Sequence, residues 1–591
     1  MRGKEYQPRS TRSSNCRFVR LERSHVGFLT VLFVATVALF FSGAFILQVE
    51  AAQARYPNIV FILTDNQSPS TLAIYGNKDT QSPNIDRLAQ EGILFHNAFA
   101  PNGMCSPSRA TLLTGLMPSQ HGVHTALTDT DTLKWPKQWC VINEFRTLPQ
   151  TLHDAGYETA LIGKYHLGEP FHPHLKFDYW LTFPEGHTWC FYNNKIIDNG
   201  KTYRYPGHLT EFWTNKAVDW ISKRKGDKPF FLFLSYDAPY GLPPAIYGPD
   251  KNNPYFKLYE NKEMQSMPRV PANKKLIKFV TMAPQYYDRG YAHWTETLLY
   301  ALNDEVCARN IASQITYIDW GVGQVLDALK NKGFDKNTLI VFTSDQGIAY
   351  GQLGLFGQAE HSLPSNLYDT PLASPLIFYH PQSIPGGRTT DLLVSHYDLF
   401  PTLLDYIGLG SIKIANTPGK SYAPLLKGEK PFWARDEIFM EQEVSRAIRT
   451  SEWKYIKRSP DVINKFVRHM EPFSRPDYGA IREYFRTAQL PNFPVLEEIM
   501  LSKPYFGEEL YDIKNDPGET KNLCDDPKYA AVKLELSKRL DDFFSQYAAP
   551  KYNLWKGGTC KSNSNTPFMW EKVWWNWKPV TSKEKPFAGK K

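Results

Sequence analysis

The sequence predicts an α/β protein: one large, mostly parallel sheet sandwiched by helices, followed by a small C-terminal α+β subdomain. Three observations carry this expectation. Apolar, β-branched runs at 58–63, 157–163, 230–236, 338–343 and 375–379 read as strands buried on both faces. Helical patterns fall between them, clearest at 311–329, and strand alternating with helix marks a parallel sheet covered on both sides. From about residue 430 the texture changes to short strands at 446–456 and 509–512, then a helix over 527–547. With 591 residues, 42% apolar and 22% charged, the chain is long enough for a large core and a smaller partner.

The N-terminus reads as targeting. Seven Arg and Lys precede an apolar run from Val26 to Leu47, and Ala52-Gln53-Ala54 has the small-x-small pattern of a signal-peptidase site. A signal peptide over 1–54 is expected, with the body exported to a periplasmic or extracellular space. A retained single anchor is the alternative, and the only membrane contact expected. Removing this segment, with its seven Lys/Arg and three Asp/Glu, brings the formal charge from +8 to +4. Such a small excess lacks the basic stripe of a nucleic-acid binder. Cys140, Cys190, Cys307, Cys524 and Cys560 allow at most two disulfides, and no C-x-x-C pair argues for zinc. The expected organisation is therefore signal 1–54, catalytic domain 55–430, and C-terminal subdomain with a Trp-rich tail 431–591.

The first strand ends at Thr64-Asp65-Asn66-Gln67, a carboxylate and amides at the carboxyl end of a buried strand, where open α/β sheets bind ligands. A capped amphipathic helix follows from Ser82-Pro83 to Gly92. Next, Cys105-Ser106-Pro107-Ser108-Arg109 leads into Ala110-Thr111-Leu112-Leu113-Thr114-Gly115, a loop turning into a helix, with Ser106 as cap and Pro107 in the first turn. Cys105 then sits at the positive end of a helix dipole, which suits a nucleophile that must meet an anion. The polar segment 125–143, with Trp135 and Trp139, is a pocket-shaping loop or a plain surface excursion.

The strand at 157–163 runs into Lys164-Tyr165-His166. Two residues apart on an extended chain, Lys164 and His166 project the same way and can converge on one anion. The strand from Thr338 ends in Ser344-Asp345-Gln346-Gly347, echoing the first loop; oxygen ligands from both suit a hard divalent ion, Ca²⁺ or Mg²⁺. The Pro-, Asn- and Tyr-rich region 241–300 reads as an insertion that builds the substrate wall. A capped helix is expected from Ser395 to Leu404. In the tail, Trp555, Trp570, Trp574, Trp575 and Trp577 are expected to bury their indoles on the body rather than to stack on sugar.

The run Cys105 to Gly115 closely resembles the sulfatase signature. The preceding phrase Pro83-Asn84-Ile85-Asp86-Arg87-Leu88-Ala89-Gln90-Glu91-Gly92 and the corner Gly163-Lys164-Tyr165-His166 resemble further parts of the same family in the same order. On these residues the chain is identified as a member of the formylglycine-dependent sulfatases of the alkaline-phosphatase superfamily, over nearly the whole mature chain. The resemblance implies an alkaline-phosphatase-like fold and a sulfuric ester hydrolase. It implies that a separate formylglycine-generating enzyme oxidises Cys105 to an aldehyde, whose hydrate attacks sulfur. It also implies that Asp65, Asn66, Asp345 and Gln346 hold a divalent metal, Ca²⁺ or Mg²⁺, that Arg109 holds the nucleophile and ligands in place, and that Lys164 and His166 bind nucleophile and sulfate.

Three positions depart from the pattern. Asn66 stands where the family usually has a second Asp, Ala238-Pro239-Tyr240 where it has A-P-H, and Gly357-Gln358 where it has Gly-Lys. His361 is then expected to donate the proton to the leaving group or to bind sulfate, with Tyr240 orienting substrate through its hydroxyl. Aromatic loops and export favour a sulfated carbohydrate as substrate. A phosphate or phosphonate ester hydrolase on the same scaffold, and a non-catalytic glycan-binding homologue, are the other readings.

Overall fold

The computed structural model describes residues 56–561, apart from 128–136, 185, 189, 227, 242–245, 247, 274–300, 363, 431–434, 444, 462 and 465–504. The expected signal segment, Trp135, Trp570, Trp574, Trp575, Trp577 and part of the expected insertion lie outside the described residues.

The central sheet contains β1 (Asn58–Thr64), β2 (Ile93–Phe95), β3 (Glu158–Gly163), β4 (Tyr179–Thr182), β5 (Asn194–Asp198), β6 (Lys201–Tyr205), β7 (Phe230–Ser235), β8 (Thr338–Ser344), β9 (Leu376–Tyr379) and β10 (Arg388–Thr390). Their order is β10-β2-β9-β8-β1-β7-β3-β4-β5-β6. All residues of β1 are buried. Its successive side chains feed two cores, with Val60 and Ile62 in one and Ile59, Phe61 and Leu63 in the other. That is why the strand is apolar throughout instead of alternating. β8, β1, β7 and β3 are parallel, as predicted, and β4, for which the sequence gives no expectation, is parallel to β3. The strand expected at 375–379 is β9, which runs antiparallel to both β8 and β2.

The helices packed on the sheet include α1 (Pro83–Gln90), α2 (Cys105–Thr114), α3 (Leu209–Ser222) and α4 (Glu305–Asn331). α4 extends the predicted helix at both ends, because Asp304 accepts the Cys307 N–H at its start and so caps it earlier than apolar spacing alone indicates. Ser395 leads a single 3₁₀ turn, His396–Asp398, that continues into an α-helix over Leu399–Tyr406.

The C-terminal part is a four-stranded antiparallel sheet made of Glu437–Gln442, Ser445–Thr450, Trp453–Arg458 and Glu509–Asp512. A helix over Ala530–Tyr547 covers it with Leu536, Leu540 and Phe544. Met117 and Tyr397 belong to the same apolar cluster. The sheet is thus packed onto the larger part, and Tyr56–Lys591 form one compact unit. Trp555 lies 4.5 Å from the Arg446 guanidinium, against the body as expected. No disulfide forms among the described residues, and Cys140, Cys307 and Cys524 are buried thiols.

Candidate active site

Four adjacent parallel strands end side by side. Thr64 pairs with Ser344 and Gly163 with Ser235, so the next residues, Asp65, Lys164 and Asp345, leave the sheet at one level. The Asp345 N–H donates to the Thr64 carbonyl at 3.1 Å, and the Lys164 N–H to the Ser235 carbonyl at 2.8 Å. Gly163 has φ +113°, and a Cβ there would come within 1.8 Å of the Ser235 carbonyl oxygen. Only glycine lets these two strand ends meet.

All of α2 is buried. The helix begins at Cys105, with Met104 as the capping residue, so Ser106 is not the cap expected from the sequence. The cause lies upstream. The Met104 N–H donates to Asn102 Oδ1 at 3.0 Å and the Gly103 N–H to Gln442 Oε1 at 2.9 Å, which turns the chain into the helix before Ser106. Ser106 Oγ accepts the Leu127 N–H instead. Cys105 still occupies the helix N-terminus.

Cys105 Sγ donates to Asp65 Oδ1 at 3.5 Å and accepts from Gln346 Nε2 at 3.2 Å. Burial, and then the Asp65 carboxylate, push its thiol well up, so the sulfur stays protonated. A cysteine in this state is a poor thiolate nucleophile.

Two carboxylates and two cations balance here. Lys164 Nζ pairs with Asp65 Oδ2, both fully buried. Arg109 Nε and Nη2 both reach Asp345 Oδ2, at 2.9 and 2.8 Å, while Nη1 donates to the Lys164 carbonyl and to Ser235 Oγ. Asp345 Oδ1 accepts the backbone N–H groups of Asn66 and Gln346. Burial, and then Asp65, push the Asp345 carboxyl up, against the pull of Arg109.

Ligand atoms of Asp65, Cys105 and Asp345 all lie within 4.8 Å of one another. Gln346 Oε1 is buried beside them with no hydrogen-bond partner. Two carboxylates and an orphaned amide oxygen fit a hard divalent cation. Asn66, at φ +62°, turns its carboxamide to its neighbours: its Oδ1 accepts from both Gln346 Nε2 and Gln358 Nε2.

The other predicted residues need correction in detail. His166 has φ +53°, so the extended-chain argument for its direction does not hold. Its Nε2–H donates to the Leu127 carbonyl at 3.1 Å, which leaves the lone pair on Nδ1. Tyr240 is buried, with its ring 5.8 Å from Lys164 Nζ. His361 Nδ1 accepts the Gln358 N–H at 2.7 Å, and burial pushes the imidazole down to about 3. A buried ring that is neutral at pH 7, with Nδ1 engaged in its own loop, does not fit the expected proton donor. It holds the turn that carries Gln358.

Sequence reasoning did not single out His187. Its ring lies 5.0 Å from that of His166 and 6.3 Å from that of Tyr240. A Cβ on Gly186 would lie 2.0 Å from the His166 ring, so glycine is what admits this loop. Thr188 Oγ1 then fixes the loop by donating to Asp237 Oδ2 at 2.6 Å, and Trp213 Nε1 donates to the other oxygen of that carboxylate. Gly186 beside His187 was the one available signal. Gln358 was read only as a missing cation, yet it stands in the site.

A buried helix N-terminus set over balanced charges and an oxygen-rich cation site, at the carboxyl ends of a parallel sheet, defines an enzyme that acts on a small anionic ester. The family model described as Sulfatase matches residues 57–409, more than half of the chain. The chain belongs to the sulfatase family, and it is a sulfatase. It is similar to the N-acetylglucosamine-6-O-sulfatase of Bacteroides thetaiotaomicron, at 26% identity over 554 residues, covering 84% of this chain and 87% of that protein. It is likewise similar to the N-sulphoglucosamine sulphohydrolase of Homo sapiens, at 28% identity over 84% of this chain and 91% of that one. A solved protein in complex with its substrate D-glucosamine-2-N,6-O-disulfate shares the fold, with TM-score 0.62 and 23% identity over 83% of this chain and 98% of that chain.

Proposed function

We propose that this sulfatase removes sulfate from a sulfated glucosamine, with Cys105 converted to formylglycine and Ca²⁺ or Mg²⁺ bound by Asp65, Asp345, Gln346 and Asn66. The observation that carries the reading is the place of Cys105: first residue of a fully buried helix, in contact with Asp65 and Gln346. The sugar is supported by the two relatives named for glucosamine sulfates.

Formylglycine supplies a hydrated-aldehyde hydroxyl as nucleophile, and the divalent cation supplies positive charge for the sulfuryl oxygens. The chain's own residues set the geometry. Arg109 fixes the Asp345 carboxylate by two bonds to one oxygen and ties it to the ends of β3 and β7. Lys164 neutralises Asp65 and stands ready to meet the ester's negative charge. His166 is held neutral by burial and by Lys164, and with Nε2–H donated to Leu127 its Nδ1 is the nitrogen that can accept a hydrogen bond from a hydroxyl. Tyr240 and His187 stand beyond Lys164, where they would face the leaving group.

Export behind a cleavage after Ala54, and maturation by a formylglycine-generating enzyme, belong to the same proposal. The apolar run from Val26 to Leu47 followed by Ala52-Gln53-Ala54 supports the former. The test is sulfate release from N-acetylglucosamine 6-sulfate, N-sulfoglucosamine, a sulfated galactosamine and phosphate counterparts. Release from a glucosamine sulfate at rates well above the others is expected. Preference for phosphate esters would overturn the reaction class, and preference for the galactosamine the sugar.

A further inference from the structure

Between the two charged pairs of the site lie three side-chain carboxamides. Gln346 Nε2 donates to Asn66 Oδ1 at 2.5 Å, and Gln358 Nε2 donates to the same oxygen. The same two nitrogens lie 3.2 and 3.8 Å from Cys105 Sγ. Asn66 and Gln346 are fully buried, and Gln358 is 4% exposed.

Two atoms of this cluster have unmet bonding: Asn66 Nδ2 and Gln346 Oε1. A buried polar group in that condition costs about 1–3 kcal/mol. A carboxamide carries donor and acceptor on opposite sides, and a half-turn exchanges them. Asn66 cannot turn alone, since its N–H groups would then face two N–H donors. Turning all three together would take Gln346 Oε1 away from the cation and put N–H groups in its place, so the observed arrangement, with Asn66 Oδ1 shared by two N–H donors, is the one that keeps Gln346 as a ligand. Gln358 therefore sets, with Gln346, how much of the Asn66 oxygen is left for a metal.

We infer that Gln358 is a positioning residue: it forms one neutral hydrogen-bonded couple with Asn66 and so decides how far Asn66 Oδ1 is available to the cation. The charge balance gives the couple a second property. Asp65 and Asp345 are already matched by Lys164 and Arg109. A single charge placed at 66 or 358 unbalances a buried site, whereas opposite charges at both positions form a pair. The positioning role rests on the metal reading above, but the couple itself does not.

The test is a double-mutant cycle of Asn66→Asp and Gln358→Lys in the full chain, read in two ways. Chemical unfolding of the metal-free protein reads the couple, and titration with Ca²⁺ alone reads the positioning role. Each single change is expected to lower the folding equilibrium constant, and the double change to recover at least tenfold of the combined loss. Gln358→Lys is expected to weaken Ca²⁺ at least tenfold when residue 66 is the native Asn and less than threefold in the Asn66→Asp background. If Gln358→Lys does not fold, Gln358→Met, which keeps the volume and removes the bond, is cycled against Asn66→Ala with the same threefold criterion. Less than threefold non-additivity in stability overturns the couple. Non-additive stability with additive Ca²⁺ affinities overturns the positioning role. If the wild-type protein binds neither Ca²⁺ nor Mg²⁺, the metal reading and the positioning role both fail, while the stability cycle still decides the couple.

Discussion

Arg109 touches a carboxylate, a backbone carbonyl and a hydroxyl, and so locks α2 to the ends of three strands. Removing one partner of a buried pair strands the other charge, at a cost of about 3–5 kcal/mol. Arg109→Ala is therefore expected to lose that much stability in urea; a loss under about 1 kcal/mol would show that Asp345 does not need it. His361 gives a second expectation. Because its Nδ1 holds the Gln358 backbone, His361→Ala should lower turnover of alkyl-like and aryl sulfates by similar factors. A loss confined to poor leaving groups would restore the proton-donor role. Cys105, Asp65, Asp345 and Lys164 were legible in the sequence because each directly follows a strand or opens a helix. His187 was not, because its position depends on Asp237, and on the gap left by Gly186, neither of which leaves a periodic trace.

At the scale of elements, the long apolar strands of the sheet interior were readable, whereas the four-residue β4 and the edge were not. β5 and β6 carry Lys, Thr and Arg, and β6 is mostly exposed, so no apolar run betrays them. β2 and β10 have three residues each, too few for a period to register. α3 was missed as well, and its start carries a pH expectation. His208 Nδ1 accepts the Thr210 N–H as the helix cap, and burial pushes the imidazole down to about 3. The unfolded chain binds a proton near pH 6.5 and the folded one does not. His208 therefore contributes stability that is present above pH 6.5 and lost as pH falls towards 3, at up to about 1.4 kcal/mol per unit. His208→Asn keeps a capping oxygen and should flatten the decline in stability between pH 6.5 and 4. An unchanged slope would show that His208 titrates alike in both states.

Across the whole molecule, the C-terminal sheet belongs to the active site as much as to its own core. The Glu441 N–H donates to the Pro101 carbonyl and the Asn102 side chain to the Glu441 carbonyl, each at 2.9 Å, and Gln442 Oε1 holds the Gly103 N–H. The strand Glu437–Gln442 thus shapes the turn that delivers Cys105. Lys454, fully buried between Asp369 and Glu519, adds a second tie. A chain ending at residue 430 is expected to bind no divalent cation and to unfold without cooperativity by calorimetry. A truncated chain that melts sharply and binds Ca²⁺ as the full chain does would show that the catalytic part is self-sufficient. The sequence marked the change of texture near 430 but not this dependence, since the strand at 437–442 was not recognised and its bonds to 101–103 cross more than three hundred residues.

The proposed function requires a modified residue 105. Its most direct test is sulfate release from a glucosamine sulfate by preparations in which mass spectrometry gives the fraction of chains carrying aldehyde instead of thiol at that position. The rate is expected to rise in proportion to the aldehyde fraction and to extrapolate to zero for protein that is wholly cysteine. Full activity from the unmodified thiol form would contradict it.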